Sequence, residues 1–207
     1  MSAVISNSSD AGEPLRYFDR EFRVETVKIL PGQYHAARGG AVTTVLGSCV
    51  STCLWDPLER IGGMNHFMLP GDNAHPDSPW AASARFGVYA MEVLINDMIH
   101  LGADRRRLVA KVFGGARLLA GFDRLDVGAK NSEFVLEFLR VEGIRVLAKD
   151  LLDVCPRKVL FFVDSGKVQV KRLSMSPAET VQRREREYLS RLDTGSAGEI
   201  EIFKPPR

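Results

Sequence analysis

A chain of 207 residues with 45% hydrophobic and 26% charged side chains can bury a sizeable core, as one domain with appendages more readily than as two full domains. Its formal charge of +2 lays down no basic footprint and argues against nucleic acid as a partner. The opening residues lack a positively flanked apolar stretch of the secretory kind, and an odd number of cysteines, three, suits a reducing cytoplasm better than a disulfide framework.

Residues 1–14, "MSAVISNSSDAGEP", are small, polar and aperiodic, and a disordered lead-in is expected to reach residue 19. From "FRVETVKIL" onward, short β-like runs recur at 41–46, 49–55, 63–69, 107–113, 144–149, 158–163 and 167–173. The uncharged stretch 39–55 holds too many glycines and hydroxyl side chains for a membrane span, so no membrane insertion is expected. A first helix is predicted from Ser83 to Leu101, with Phe86, Ala90, Val93, Leu94 and Met98 near helical spacing and Gly102 as its stop. Arg105–Arg106–Arg107 reads as solvated surface. A second helix is predicted to start near Asn131 as its cap, carrying Phe134, Val135, Phe138 and Leu139 before Gly143. Asp164–Ser165–Gly166 is a hairpin signal between the last two runs.

Strands outnumber helices without regular β-α-β alternation, which predicts an α+β layered sandwich of mainly antiparallel sheets with two main helices on one side. Beyond residue 173 the character changes. Ser176–Pro177–Ala178–Glu179 is a capping box opening a charged tail helix with a thin apolar stripe of Ala178, Val181, Tyr188, Leu189 and Leu192. "GEIEIF" then alternates like a lone strand. A solvated helix with a loose tail is the plain expectation, and an arm docking on a partner is the sharper one.

The chemistry-bearing residues gather at 43–70, "TTVLGSCVSTCLWDPLERIGGMNHFMLP". A thiol attacks only as thiolate. Gly47–Ser48 supplies a tight turn that places Cys49 at the edge of an element, with backbone N–H groups of Ser48 and Cys49 aimed at the sulfur or an oxyanion beside it. Cys53, inside an apolar run, and Cys155, at the start of another, read as small buried hydrophobes. A base working at neutral pH has to be a histidine. His66 is the distinctive one, because it follows Gly62–Gly63 in a short apolar strand; His35, His75 and His100 receive no chemistry. For the group that orients the base, Thr43, Thr44, Asp56 and Asn65 are all open, with a carboxylate preferred and Asn65 expected on the opposite strand face from His66. Phe113–Gly114–Gly115–Ala116 reads either as part of a substrate groove or as a plain turn. Cys49, Cys53, His66 and His75 also form a conceivable zinc set. On an extended strand, however, residues four apart are about 13 Å apart, too far for two thiolates on one ion.

"LGSCV" at 46–50, "WDP" at 55–57 and "IGGMNHFMLP" at 61–70, with His66 seventeen positions after Cys49, resemble the CheD family of bacterial chemoreceptor glutamine deamidases. The resemblance continues through "ARFGVYAMEVLINDMIHLGA" (84–103), "KVFGGA" (111–116), "VGAKN" (127–131), "GIRVLAKD" (143–150) and "RKVLFFVDSGKVQVKRL" (157–173), covering a domain at residues 20–173 and leaving 174–207 as a helical tail outside it. It implies an α-β-β sandwich and a protein-glutamine amidohydrolase with Cys49 as nucleophile, His66 as base and Thr43, six residues before the cysteine, as the orienting group in place of a carboxylate. Gly47, Ser48 and Asn65 are candidates for the oxyanion or substrate contacts. The implied reaction runs through a thioester and uses no metal or organic cofactor. The implied substrate is the cytoplasmic helical region of chemoreceptors, which would bring the protein to receptor arrays. A CheC-type phosphatase is an implied partner, and a regulatory module binding receptors or that phosphatase without catalysis is the alternative. Where relatives commonly carry Gly-Gly ahead of the "RKV" strand, this chain reads "LLDVCPRKV", which predicts a differently shaped loop.

Overall fold

The computed structural model describes residues 13–69, 79–117 and 127–195. In chain order the elements are β1 (Leu15–Asp19), β2 (Val24–Lys28), β3 (Tyr34–Ala37), β4 (Ala41–Leu46), β5 (Val50–Asp56), β6 (Ile61–Asn65), α1 (Pro79–His100), β7 (Val109–Gly114), α2 (Val127–Val141), β8 (Arg145–Leu151), β9 (Arg157–Phe162), β10 (Lys167–Arg172) and α3 (Met175–Gly195). A single 3-10 turn, Arg105–Arg107, precedes β7.

The strands form two five-stranded sheets, ordered β1-β2-β4-β9-β10 and β3-β6-β5-β7-β8. Each is antiparallel except for one pair, β2 with β4 in the first and β7 with β8 in the second. Among the described residues, the β7-α2-β8 crossover is the one place where helix alternates with parallel strand. Side-chain alternation along the second sheet produces the layers. Val50, Leu54, Ile61, Ala110 and Val112 pack under Met91, Leu94, Ile95 and Met98 of α1 and Val135, Phe138 and Leu139 of α2. Cys49, Cys53, Met64 and Phe113 face the first sheet, against Val27, Val42, Leu46, Val159 and Phe161. The molecule is therefore the α+β arrangement expected, with helices, sheet and sheet in succession.

Gly62 and Gly63 serve this layering from both sides of β6. A Cβ on Gly62 would lie 2.8 Å from the Phe161 ring, and one on Gly63 would lie 2.6 Å from Leu94. The pair therefore admits the neighbouring layers. Both main helices stop at their expected glycines. Gly102 and Gly143 have φ of 104° and 68°, and the following N–H of Ala103 and of Ile144 reaches back to Met98 and Leu139 carbonyls.

Several local expectations are corrected. β1 falls within the stretch expected as a disordered lead-in, and β3, which includes His35, has no counterpart among the expected runs. α2 starts at Val127, so Asn131 lies inside the helix, fully buried, and caps nothing. The Arg105–Arg107 run is largely neutralised: Arg105 bridges Glu92 and Glu142, Arg106 pairs with Asp104, and Arg107 pairs with buried Asp56. In the loop ahead of β9, Leu152 and Asp153 take positive φ of 68° and 86°. His75, residues 1–12 of the lead-in expected over 1–19, and the "GEIEIF" strand lie outside the described residues. Among the described residues no helix is long and apolar enough to cross a membrane.

Candidate active site

The site forms where β4 leaves the first sheet and β5 enters the second. Residues 47–49 make the crossing, and their three carbonyls are held on one side. Gly47 O accepts from Ala116 N at 2.7 Å, Cys49 O from Gly115 N at 2.8 Å and Ser48 O from Asn131 Nδ2 at 2.9 Å. Phe113–Gly114–Gly115–Ala116 is thus a backing strap for the cysteine loop. Gly115, at φ of 68°, has no room for a Cβ, which would lie 2.2 Å from Ser132 Oγ.

With the carbonyls tied back, the three N–H groups converge on the other side. Gly47 N and Cys49 N donate to Glu185 Oε1 at 2.8 and 3.2 Å, and Ser48 N and Ser48 Oγ donate to Glu185 Oε2 at 2.9 and 2.7 Å. Successive N–H groups aimed at one point form an anion-binding nest. Here the anion is a carboxylate of α3, 1% exposed.

His66 reaches the same place from the end of β6. Its Nδ1 lies 2.7 Å from Thr44 Oγ1, and that hydroxyl spends its one proton on Ile29 O at 2.8 Å. The hydroxyl can therefore only accept from the ring, so Nδ1 carries the hydrogen and Nε2 keeps its lone pair. Nε2 is buried and has no hydrogen-bond partner among the described residues. Cys49 Sγ, a ring nitrogen of His66 and a Glu185 oxygen all lie within 4.8 Å of one another. Burial holds His66 down to about 3 and, with the charge and hydrogen bond of Glu185 adding to it, pushes the Cys49 thiol well up, so thiol and imidazole are both neutral. A neutral thiol within 4.8 Å of an imidazole nitrogen, beside a nest of N–H donors, is an arrangement for nucleophilic attack with proton transfer and stabilisation of an oxyanion.

A family model described as CheD chemotactic sensory transduction matches residues 68–172. A protein of Herminiimonas arsenicoxydans named "Probable chemoreceptor glutamine deamidase CheD" is 52% identical over 189 residues, spanning 90% of this chain and 93% of its own. A protein of the same name from Thiobacillus denitrificans is 52% identical over 90% of this chain and 94% of its own. "Probable chemoreceptor glutamine deamidase CheD 1" of Shewanella oneidensis is 50% identical over 92% and 94%. The chain belongs to the CheD family.

In this CheD-family chain Cys49 and His66 come together, and Gly47 and Ser48 contribute to the nest. Thr43 and Asn65 do not reach it. The Thr43 hydroxyl donates to Val159 O at 2.8 Å, because neighbours on β4 point to opposite faces, and its neighbour Thr44 holds the ring. Asn65 points to the helix side, as alternation required: it accepts from Thr52 N at 2.9 Å and donates to Ala90 O at 3.0 Å. Asp56, the open carboxylate candidate, is structural. Burial would raise it, but the Arg107 guanidinium and the N–H groups of Asp104, Glu59 and Leu58 hold it down at about 2. Cys53 is packed between the sheets.

The ligand-type cluster that does form is Cys49, His66 and Glu185, different from the set suggested by spacing. Both Glu185 oxygens already receive protein donors, which makes it a hydrogen-bonded cluster.

Sequence reasoning left Thr44 open as the ring's partner but passed it over for Thr43, and it missed Asn131 and Glu185. Only Glu185 had a signal. Val181, Glu185, Tyr188 and Leu189 fall at i, i+4, i+7 and i+8, so a carboxylate interrupts the apolar stripe of the tail helix.

Proposed function

We propose that this CheD-family chain is a protein-glutamine deamidase acting on chemoreceptors, as the names of its relatives say of them. The observation that carries the reading is the Cys49 thiol within 4.8 Å of a His66 ring nitrogen, with three backbone N–H groups converging on the Glu185 carboxylate beside them.

The glutamine side-chain carbonyl takes the nest, where the N–H groups of Gly47, Ser48 and Cys49 bear the negative charge that develops on its oxygen. Cys49 Sγ attacks the carbonyl carbon as His66 Nε2 takes the thiol proton. His66 then gives that proton to the leaving nitrogen, ammonia departs, and a thioester remains. Water attacks the thioester with His66 again as base, which releases glutamate and restores the thiol. Throughout, Thr44 keeps Nδ1 protonated and the ring in place. A narrow crevice lined by Lys28, Leu30, Thr44, His66 and Arg184 reaches the ring beside α3.

The product replaces a neutral side chain with an anion. On a receptor helix, like charges at i and i+4 repel, so each deamidation shifts the balance between packed states of the bundle.

Mass spectrometry of a receptor cytoplasmic fragment incubated with wild type and with Cys49→Ala tests this. Specific glutamines are expected to gain about 1 Da with wild type alone, the difference between amide and acid. Hydrolysis of free glutamine as readily as of the fragment would point to a generic amidase. Binding of the fragment, or of a CheC-type phosphatase, with no mass change from either protein would leave an adaptor.

A further inference from the structure

The deamidase reading leaves the charged C-terminal helix unused, although α3 places a carboxylate in the site. Val181 rests with Val45 and Ala116, and Leu189 joins the core between the sheets. Tyr188 lies over Gly32, where a Cβ would be 2.9 Å from its hydroxyl. Between these anchors Glu185 enters the nest. A glutamate side chain is what deamidation of a glutamine leaves behind, and this one stands on a helix, as the proposed receptor substrate does.

We propose that α3 is a built-in product mimic: it docks where the substrate helix docks, with Glu185 at the position of the glutamate formed, and it must leave before a receptor glutamine can enter. The inference rests on the deamidase reading. Three features support it. The N–H groups a substrate carbonyl needs are all committed to Glu185, so no glutamine can use them while α3 is in place. Cys49 is 0% exposed with the helix docked, and Glu185 adds its own charge and hydrogen bond to the burial that keeps the thiol protonated. The opposite side of α3 is polar, with Arg183, Arg184, Arg186 and Glu187 exposed, so the released helix can stand in water.

Docked α3 also specifies a register for the substrate. The glutamine attacked should have an apolar residue four positions before it and apolar or aromatic residues three and four positions after it, in the places of Val181, Tyr188 and Leu189.

Glu185→Gln in the full chain turns the mimic into a substrate and tests the pose. Cys49 Sγ would bond to the Cδ of the introduced amide as its C–N bond breaks and ammonia leaves with a proton from His66. Water would then cleave the thioester and leave Glu185, so the variant reverts to the wild-type side chain by one turnover. The expected result is a gain of about 1 Da at residue 185. Its rate should be independent of protein concentration, and it should be absent from Glu185→Gln/Cys49→Ala. An unchanged amide at position 185, in a chain that still deamidates receptor glutamines, would overturn the product-mimic pose and leave the deamidase intact. No gain at either place would overturn the deamidase reading itself, and a rate rising with concentration would overturn the intramolecular pose. Labelling of Cys49 by iodoacetamide gives a second readout. Glu185→Ala and Val181→Asp should each label about tenfold faster than wild type, because the thiolate is the reactive form. Equal labelling of all three chains would overturn the closed state.

Discussion

Thr44 is a hydroxyl with one proton and two ring-facing options, and Ile29 O decides between them. By taking the proton, that carbonyl fixes the His66 tautomer and leaves Nε2 as the basic nitrogen. Thr44→Val keeps the shape and removes the acceptor, so kcat should fall about 10- to 100-fold, part of the ~10²–10⁴-fold that a positioned base contributes. Thr43→Val, whose hydroxyl serves only Val159 O, should leave kcat within about twofold while lowering stability by about 1 kcal/mol. Steady-state deamidation and urea melts on the two variants separate the roles. If Thr43→Val lost activity and Thr44→Val kept it, the orienting role would belong where the family pattern puts it. The sequence showed two adjacent threonines at the right distance from the cysteine; which one faces the ring depends on strand phase, and that is set by pairing.

At the scale of elements, the cysteine loop is shaped by its neighbours more than by its own residues. The strap at Gly114–Ala116 and the interior of α2 pull three carbonyls back, and the N–H groups point forward as a consequence. Asn131 is the hinge of that arrangement, since its Oδ1 also accepts from Leu69 N at 2.9 Å, tying the loop to the chain just past His66. Asn131→Ala leaves a buried carbonyl and a buried N–H unpaired, each costing about 1–3 kcal/mol. A thermal melt should show a clear drop, and kcat should fall even well below the transition, where the chain is folded. A melt shifted with kcat unchanged would make Asn131 structural only. Asn131 looked like a helix cap in the sequence because its side chain suits one. It is instead a buried two-way bridge, which no local pattern distinguishes.

For the whole molecule, burying a neutral histidine ties stability to pH. The folded-state pKa of His66 is lowered to about 3, below that of an exposed imidazole at ~6.5. Between those values the unfolded chain binds a proton that the folded chain refuses, so stability is lost as pH falls. The slope from this group is about 1.4 kcal/mol per pH unit. Burial, reinforced by the Arg16 charge, brings His35 down to about 4, and it contributes in the same direction. In urea melts between about pH 6 and 4, wild type should lose stability more steeply than His66→Gln by roughly that slope. Parallel profiles would mean that the imidazole is reached by water in the folded chain.

Much of the layering was legible because burial writes itself into alternation: the strands at 41–46, 158–163 and 167–173 and the glycine stops at 102 and 143 follow from local chemistry alone. So did the pairing of Cys49 with His66, through the residues flanking each. What only the tertiary structure decided are contacts between segments far apart in the chain. The nest takes its orientation from residues near 115 and 131, and its occupant from residue 185, 136 positions from the cysteine whose N–H it receives. A charge that is buried by a distant loop looks, in its own segment, like any other charge on a solvated helix. The field of backbone N–H groups that justifies its burial exists only once the sheets have closed around it.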